Sequence, residues 1–202
     1  MAAASPLAAS PSESHRSAVL RSLFVYGPLM AEEAITALLG RVPPSRPAKL
    51  FGYTRCCQKG SEEASGVCST HRSLVRLGYP AVAAAGKGYV VEGILLERLR
   101  PQEMQALDFY EDDNFKREVV KVVAASGFGG EEELESLAYI WPPAGVVTLD
   151  PTIPWSYTNF RTQHMKRFIE SVVKPCRKAF ENHEGVLEAQ MSLGTARSTA
   201  RS

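Results

Sequence analysis

Local metal and disulfide chemistry have little to work with in this chain. Its four cysteines, Cys56, Cys57, Cys68 and Cys176, form no C-x-x-C pair, no zinc-ligand spacing and no framework of a small secreted domain. They read as reduced thiols. The four histidines, His15, His71, His164 and His183, are far apart, with no H-x-x-x-H or H-x-x-E-H pattern, so no metal site built on local spacing is expected. An excess of charge of one sign is also missing. The formal net charge is +1 and the pI near 7.7, so no global field steers the protein toward nucleic acid or an anionic membrane. The longest apolar run, around Tyr89 to Leu96, is interrupted by Glu92 and falls short of the roughly 20 residues that span a bilayer. Neither a G-x-S-x-G elbow nor a Walker lysine loop occurs. Gly86, Gly88 and Gly93 precede a strand instead of joining a strand to a helix, which is the wrong context for dinucleotide binding. These absences leave a soluble, cytoplasmic protein with a small or neutral partner, no nucleic acid, no membrane and no metal; the oligomeric state stays open.

What is present is ordinary globular material. With 202 residues, 45% hydrophobic and 22% charged, the chain can bury one sizeable core. Residues 1–20 are mostly Ala, Ser and Pro, too poor in large apolar groups to offset the entropy of ordering, so this segment is expected to be a disordered tail. It has few acids, which suits a transit peptide, but lacks spaced arginines, which favours a plain solvated tail. Residues 184–202 look equally unpacked. The folded unit is then 21–183, one domain.

Within it, Leu23 to Tyr26 reads as a short buried strand, and "AEEAITALLG" as a helix with acids in its first turn and Gly40 as its stop. "PAKLFGYTR" reads as a second strand with Gly52 as a bulge or close-approach position, and "YVVEGILLERL" as a third. Pro101 opens a helix that places Met104, Leu107 and Phe109 or Tyr110 at helical spacing and ends at an acidic cluster. "FKREVVKVVAA" alternates as a half-exposed strand and pairs with "SLAYIW". The stretch between them, "SGFGGEEELE", supplies a loop, and "WPPAGVVTLDPTIP" is too rich in proline for regular structure. From about Trp155 to Phe180 a helical stripe carries Phe160, His164, Phe168, Val172 and Cys176, with Pro175 expected to kink or end it. The absence of βαβ alternation gives an α+β fold with a small mixed or antiparallel, barrel-like sheet and flanking helices.

The acidic cluster Asp108, Glu111, Asp112 and Asp113 crowds a helix exit, where the macrodipole disfavours negative charge. By itself it reads as a solvated loop paired with Lys116 and Arg117. Cys56 and Cys57 beside Arg55 suggest an activated thiol, but neighbouring strand side chains face opposite ways and no histidine is near in sequence; packing is the better account.

The order of motifs adds a resemblance. A strand ending in Y-G-x-L, then "GYPAV", "VEGILLERL", "LDFYEDDNFKREVVKV" and a Y-x-W strand end, resembles the γ-glutamyl cyclotransferase-like family, notably its γ-glutamylamine cyclotransferase and plant avirulence-induced-like branches. The resemblance covers about Leu23 to Phe168. It implies a substrate loop on Tyr26, Gly27, Pro28 and Leu29, with Met30 beside them, and a catalytic acid/base at Glu111. Leu107, Asp108, Glu111 and Arg117 match the family's L-D-x-x-E-G-x-x-Y-x-R pattern, with Asp112 in place of the glycine and Phe115 in place of the tyrosine. The Y-P pair falls on Tyr79 and Pro80, near the pocket. Pro28 stands where the family has Thr or Ser. Arg117 is a candidate substrate contact or a neutraliser of the acidic loop. Tyr139 and Trp141 are expected to wall the pocket. The implied reaction closes a γ-glutamyl group on itself, releasing 5-oxoproline and an amine, and needs no cofactor. Pro28 and Asp112 motivate a second reading, a binding or interaction module that keeps the fold and pocket without turnover.

Overall fold

A computed structural model describes residues 21–58, 80–111, 115–127, 129–143 and 149–185. The N-terminal tail, all but the first two residues of the C-terminal one, and Tyr79, Cys68, His71, Asp112 and Asp113 lie outside the described residues.

The first strand, β1 (Leu23–Val25), is three residues long and buried on both faces. Leu23 and Val25 face a helix-covered core, whereas Phe24 points into a barrel interior shared with Leu50, Leu95 and Val122. A run of consecutive apolar residues suits such a strand, because neither face meets water. It pairs antiparallel with β5 (Val90–Leu96) and parallel with β7 (Glu131–Ile140), and these two contacts close a barrel. The remaining barrel strands are β2 (Ser45–Phe51) and β6 (Lys116–Ala125), in the order β1-β5-β2-β6-β7. The fold is thus the α+β class with a mixed barrel and flanking helices.

A barrel of five strands has a narrow interior. Gly93 on β5 pairs with Ala48 on β2, which pairs with Ala124 on β6, so a belt of small residues crosses three neighbouring strands. The belt makes room for one large ring. A Cβ placed on Gly93 would lie 2.5 Å from Cζ of Phe24 and closer still to the carbonyl of Val25.

Three expectations need correction. Gly52 is not a bulge within one strand: its φ of +83° turns the chain out of β2 and into β3 (Tyr53–Gln58), which belongs to a second sheet. That sheet has the order β4-β3-β8, with β4 at Pro80–Ala84 and β8 at Leu149–Pro154. The proline-rich stretch therefore does contain a strand, an edge strand, where a missing N–H is tolerated. The acidic run after Gly130 is also strand and not loop, because β7 begins at Glu131. Its carboxylates are met by Lys49 and Lys121 at 2.8 and 3.2 Å and by Arg46, so neighbouring strands supply the countercharge that sequence distance hid.

Helix α1 (Glu32–Leu39) carries Glu32 and Glu33 in its first turn and ends on Gly40 at φ +78°. Helix α2 (Pro101–Glu111) starts where Glu103 accepts the Arg100 N–H at 2.7 Å, one half of a capping box. The same carboxylate takes a two-pronged contact from Arg41, at 2.6 and 2.7 Å, which fastens α2 to the end of α1. The C-terminal helical segment comprises α3 (Tyr157–Gln163), α4 (Met165–Phe168), a π turn at Ile169–Val173 and helix over 174–185. Pro175 does not end it. The widened turn immediately before the proline relieves the clash its ring would make one turn back, and the helix runs on. Phe160, Phe168, Val172 and Cys176 are buried as the stripe anticipates. No helix among the described residues is long and apolar enough to cross a membrane.

Two stability measurements follow from these contacts. Gly93→Ala should cost about 1–3 kcal/mol by overpacking the barrel against Phe24, read as a lower denaturation midpoint with unchanged slope; an unaltered midpoint would refute the close approach. Burial alone would raise the Glu103 carboxyl, but Arg41 and the Arg100 N–H outweigh it and hold the group below its ordinary value. A depressed carboxyl stabilises the fold above the unfolded-state pKa of about 4.3 and loses that contribution as pH falls through its lower folded value. Glu103→Gln should therefore cost about 1–3 kcal/mol at neutral pH, with the gap to wild type narrowing below about pH 4 in acid titrations followed by circular dichroism.

Candidate active site

The site begins where β1 stops. Pro28 opens a 3-10 turn, Pro28–Met30, at the position where a helix needs no N–H from its first residue. The turn is closed by Met30 N–H donating to the Gly27 carbonyl at 3.0 Å and Ala31 N–H to the Pro28 carbonyl at 3.1 Å. Met30 is thus spent within the loop. Among the described residues no main-chain carbonyl outside the turn accepts the Leu29 N–H. At Gly27 space and not dihedral angle is tight: a Cβ there would come to 3.0 Å from Pro80 Cγ. That contact seats the loop against β4. Tyr79, the other half of the Y-P pair, lies outside the described residues.

The opposite side comes from the last turn of α2 and the start of the β6–β7 hairpin. Arg117 and Tyr139 face each other across that hairpin, and both reach Asp108. Arg117 Nη1 donates to the two carboxylate oxygens at 2.7 and 2.6 Å, and the Tyr139 hydroxyl donates to Oδ1 at 2.7 Å. Arg117 is therefore placed on Asp108. Tyr139 has a second role, because its main-chain carbonyl accepts the buried Tyr26 hydroxyl at 2.5 Å. The Tyr26 side chain is likewise committed within the protein. One residue ties the acidic helix end to the loop.

Glu111 ends α2, half-buried, where the helix dipole adds to the cost of its charge. Its position is visible in the phenols around it. Burial first, and then the negative charge of Glu111, push the Tyr26 hydroxyl well above its ordinary pKa. The Tyr139 hydroxyl is raised by burial, then by Asp108, with Glu111 contributing again. The charge of Glu111 therefore bears on both of the tyrosines that join the halves of the site. Beyond it, Phe115 packs edge-on against Trp141 with ring centroids 5.1 Å apart, and the main-chain N–H of Trp141 donates to the Val82 carbonyl at 2.8 Å, sewing the end of β7 to β4.

Two residues had stronger roles than the sequence suggested. Tyr139 reads as wall and proves to be a polar junction; its only hint is the position opposite Arg117 in the hairpin. Arg55 reads as an accessory to the neighbouring thiols, yet Cys56 is buried against Phe115 and Trp141 while Arg55 Nη1 donates to the carbonyl of Tyr26 at 2.9 Å. Alternation along β3 was the available signal, since it sends the two side chains to different faces. Among the described residues, no group of three or more His, Cys, Asp or Glu side chains is placed to hold a metal ion.

The chain is similar to known proteins. A family model described as gamma-glutamyl cyclotransferase, AIG2-like, matches residues 23–157. The chain is 30% identical over 175 residues to AIG2-like protein C of Arabidopsis thaliana, covering 86% of this chain and 85% of that one. It is 29% identical over 151 residues to AIG2-like protein D of the same plant, covering 75% and 86% respectively. A solved gamma-glutamyl cyclotransferase superposes with a TM-score of 0.47 at 13% identity, over 75% of this chain and 87% of that one. The matched span runs from β1 through β8 and takes in the loop after β1, Glu111 and Tyr139: this chain belongs to the AIG2-like γ-glutamyl cyclotransferase family.

Proposed function

We propose that the protein is an enzyme that cyclises a γ-glutamyl amide, releasing 5-oxoproline and an amine, with Glu111 as the acid/base. The reaction joins the substrate's own α-nitrogen to its γ-carbonyl carbon and breaks the bond from that carbon to the amide nitrogen. Nucleophile and electrophile share one molecule, so holding it in a folded conformer supplies much of the acceleration. No cofactor enters the balance. The α-amine starts as an ammonium ion and ends as a lactam N–H, so it sheds two protons, one before attack and one after; Glu111 takes each in turn and passes both to the leaving nitrogen, which departs as an ammonium ion.

The observation that carries this reading is that the charge of Glu111, in the last turn of α2, bears on both Tyr26 and Tyr139, the two phenols that tie the loop to the acidic helix end. A carboxylate placed there serves an amine held on the loop formed by Tyr26, Gly27, Pro28, Leu29 and Met30. Negative charge develops on the γ-carbonyl oxygen as the ring closes, and the Leu29 N–H is a preorganised donor for it. Pro28 removes an N–H that the 3-10 turn does not use, so its presence is compatible with the loop's shape. Asp108 acts as a positioning residue: with Arg117 and Tyr139 it fixes the last turn of α2, and with it Glu111.

Glu111→Gln should lower 5-oxoproline release by about 10²- to 10⁴-fold while the thermal melt stays near wild type; a variant with full turnover would refute the mechanism, and binding without turnover by wild type would favour the non-catalytic module. Tyr139→Phe keeps the carbonyl bonded to Tyr26 and deletes only the donor to Asp108. It should cost about 1 kcal/mol in stability and lower kcat more than it raises KM, as steady-state assays on one substrate will show. An unchanged kcat would remove Tyr139 from the positioning of Glu111.

A further inference from the structure

Arg55 stands out among the arginines near the site. Arg41, Arg46 and Arg117 each meet a carboxylate within 3.0 Å. Arg55 has no ion pair among the described residues; Glu92 bears on it only from beyond ion-pair distance. Its Nη1 bridges two main-chain carbonyls, Tyr26 at 2.9 Å and Glu92 at 3.4 Å. These are the carbonyls released where β1 and β5 part, since the last pair in their ladder is Val25 with Ile94. The guanidinium lies over the Trp155 ring, 4.9 Å from its centroid. The stack fixes its plane and removes water from one face. Burial pulls its pKa down, the mark of a cation that its surroundings do not fully compensate.

The remaining edge of the fork, Nε and Nη2, has no acceptor among the described residues. Two parallel N–H groups in a fixed plane suit a carboxylate, which accepts both at once. The fork is attached to the carbonyl of Tyr26, the first residue of the loop that holds the glutamyl group in the reading above. A γ-glutamyl compound presents one α-carboxylate beside the amine that attacks.

We propose that Arg55, braced on Trp155, is the docking group for the substrate's α-carboxylate and so selects γ-glutamyl compounds over γ-amino acyl amides that lack it. This rests on the proposed cyclisation. Anchoring the carboxylate at β3 and the carbonyl oxygen at the 3-10 turn leaves the α-amine between them, on the side where Glu111 ends α2. The bond from Arg55 to Tyr26 also polarises the Tyr26–Gly27 peptide, so the cation strengthens the loop it is attached to.

The test compares 5-oxoproline with 2-pyrrolidinone, the same ring without its carboxylate, by calorimetric binding to the full chain, and γ-glutamyl amides with their 4-aminobutanoyl counterparts in turnover. Wild type should favour the carboxylate-bearing member of each pair by about 10- to 100-fold. Arg55→Met should bring both ratios close to one. Arg55→Lys keeps the charge and one carbonyl bond but not the fork, so it should retain the wild-type melt and lose most of the preference; this variant decides the matter if the methionine form does not fold. Ratios unchanged in the variants, with 5-oxoproline release intact in wild type, overturn the role of Arg55 and leave the cyclisation standing. No release from any γ-glutamyl amide and no binding of either ring would overturn both.

Discussion

The two-ended contact of Tyr139 is what the site depends on. Its hydroxyl donates to Asp108 at the end of α2, and its carbonyl accepts from Tyr26 at the end of β1. The helix and the loop come from distant parts of the chain. Tyr139 can join them because it sits in the last part of β7, which is hydrogen-bonded to β6 on one side and runs parallel to β1 on the other. A side chain on that strand faces the helix layer while its backbone faces the loop. Arg117, directly across the hairpin, completes the arrangement by neutralising Asp108. An acidic helix end that would otherwise be costly becomes a fixed reference point for Glu111.

The barrel imposes a second constraint. At the level where Gly93, Ala48 and Ala124 supply almost no side chain, the five-stranded barrel has room for the ring of Phe24. Phe24 in turn fixes the register of β1, and the loop begins two residues later. At the other end of α2, Arg41 and Arg100 hold Glu103, so the helix is tethered at its first turn as well as its last. Both halves of the site are therefore held by core contacts.

Much of this was legible in the sequence, for identifiable reasons. The short apolar β1, the helix signals at Gly40 and Pro101 and the alternation of β6 are local patterns, and local patterns survive in a one-dimensional reading. The ordered motifs carried the family. What stayed hidden depends on partners far apart in the chain. The glutamates that open β7 look like a loop until Lys49 and Arg46 on β2 and Lys121 on β6 are brought beside them. Pro175 looks like a helix end because nothing in the sequence announces the π turn before it. Arg55 and Tyr139 looked ordinary for the same reason: their roles lie in contacts to Tyr26 and Asp108, which only the closed barrel provides.

The brevity of β1 also bears on how the protein is put together. It is the first strand among the described residues, yet its partners are β5 and β7, with Leu23 opposite Leu96 on one side and Leu137 on the other. Pairings across such separations carry the largest loop-closure cost, and three residues offer few hydrogen bonds against it. The β6–β7 hairpin and the β2–β5 pair can form without β1; the barrel cannot. A chain whose seam is still open would have most of its sheet but neither the bond from Tyr26 to Tyr139 nor a seated loop after β1, so the candidate site is assembled only with the final closure.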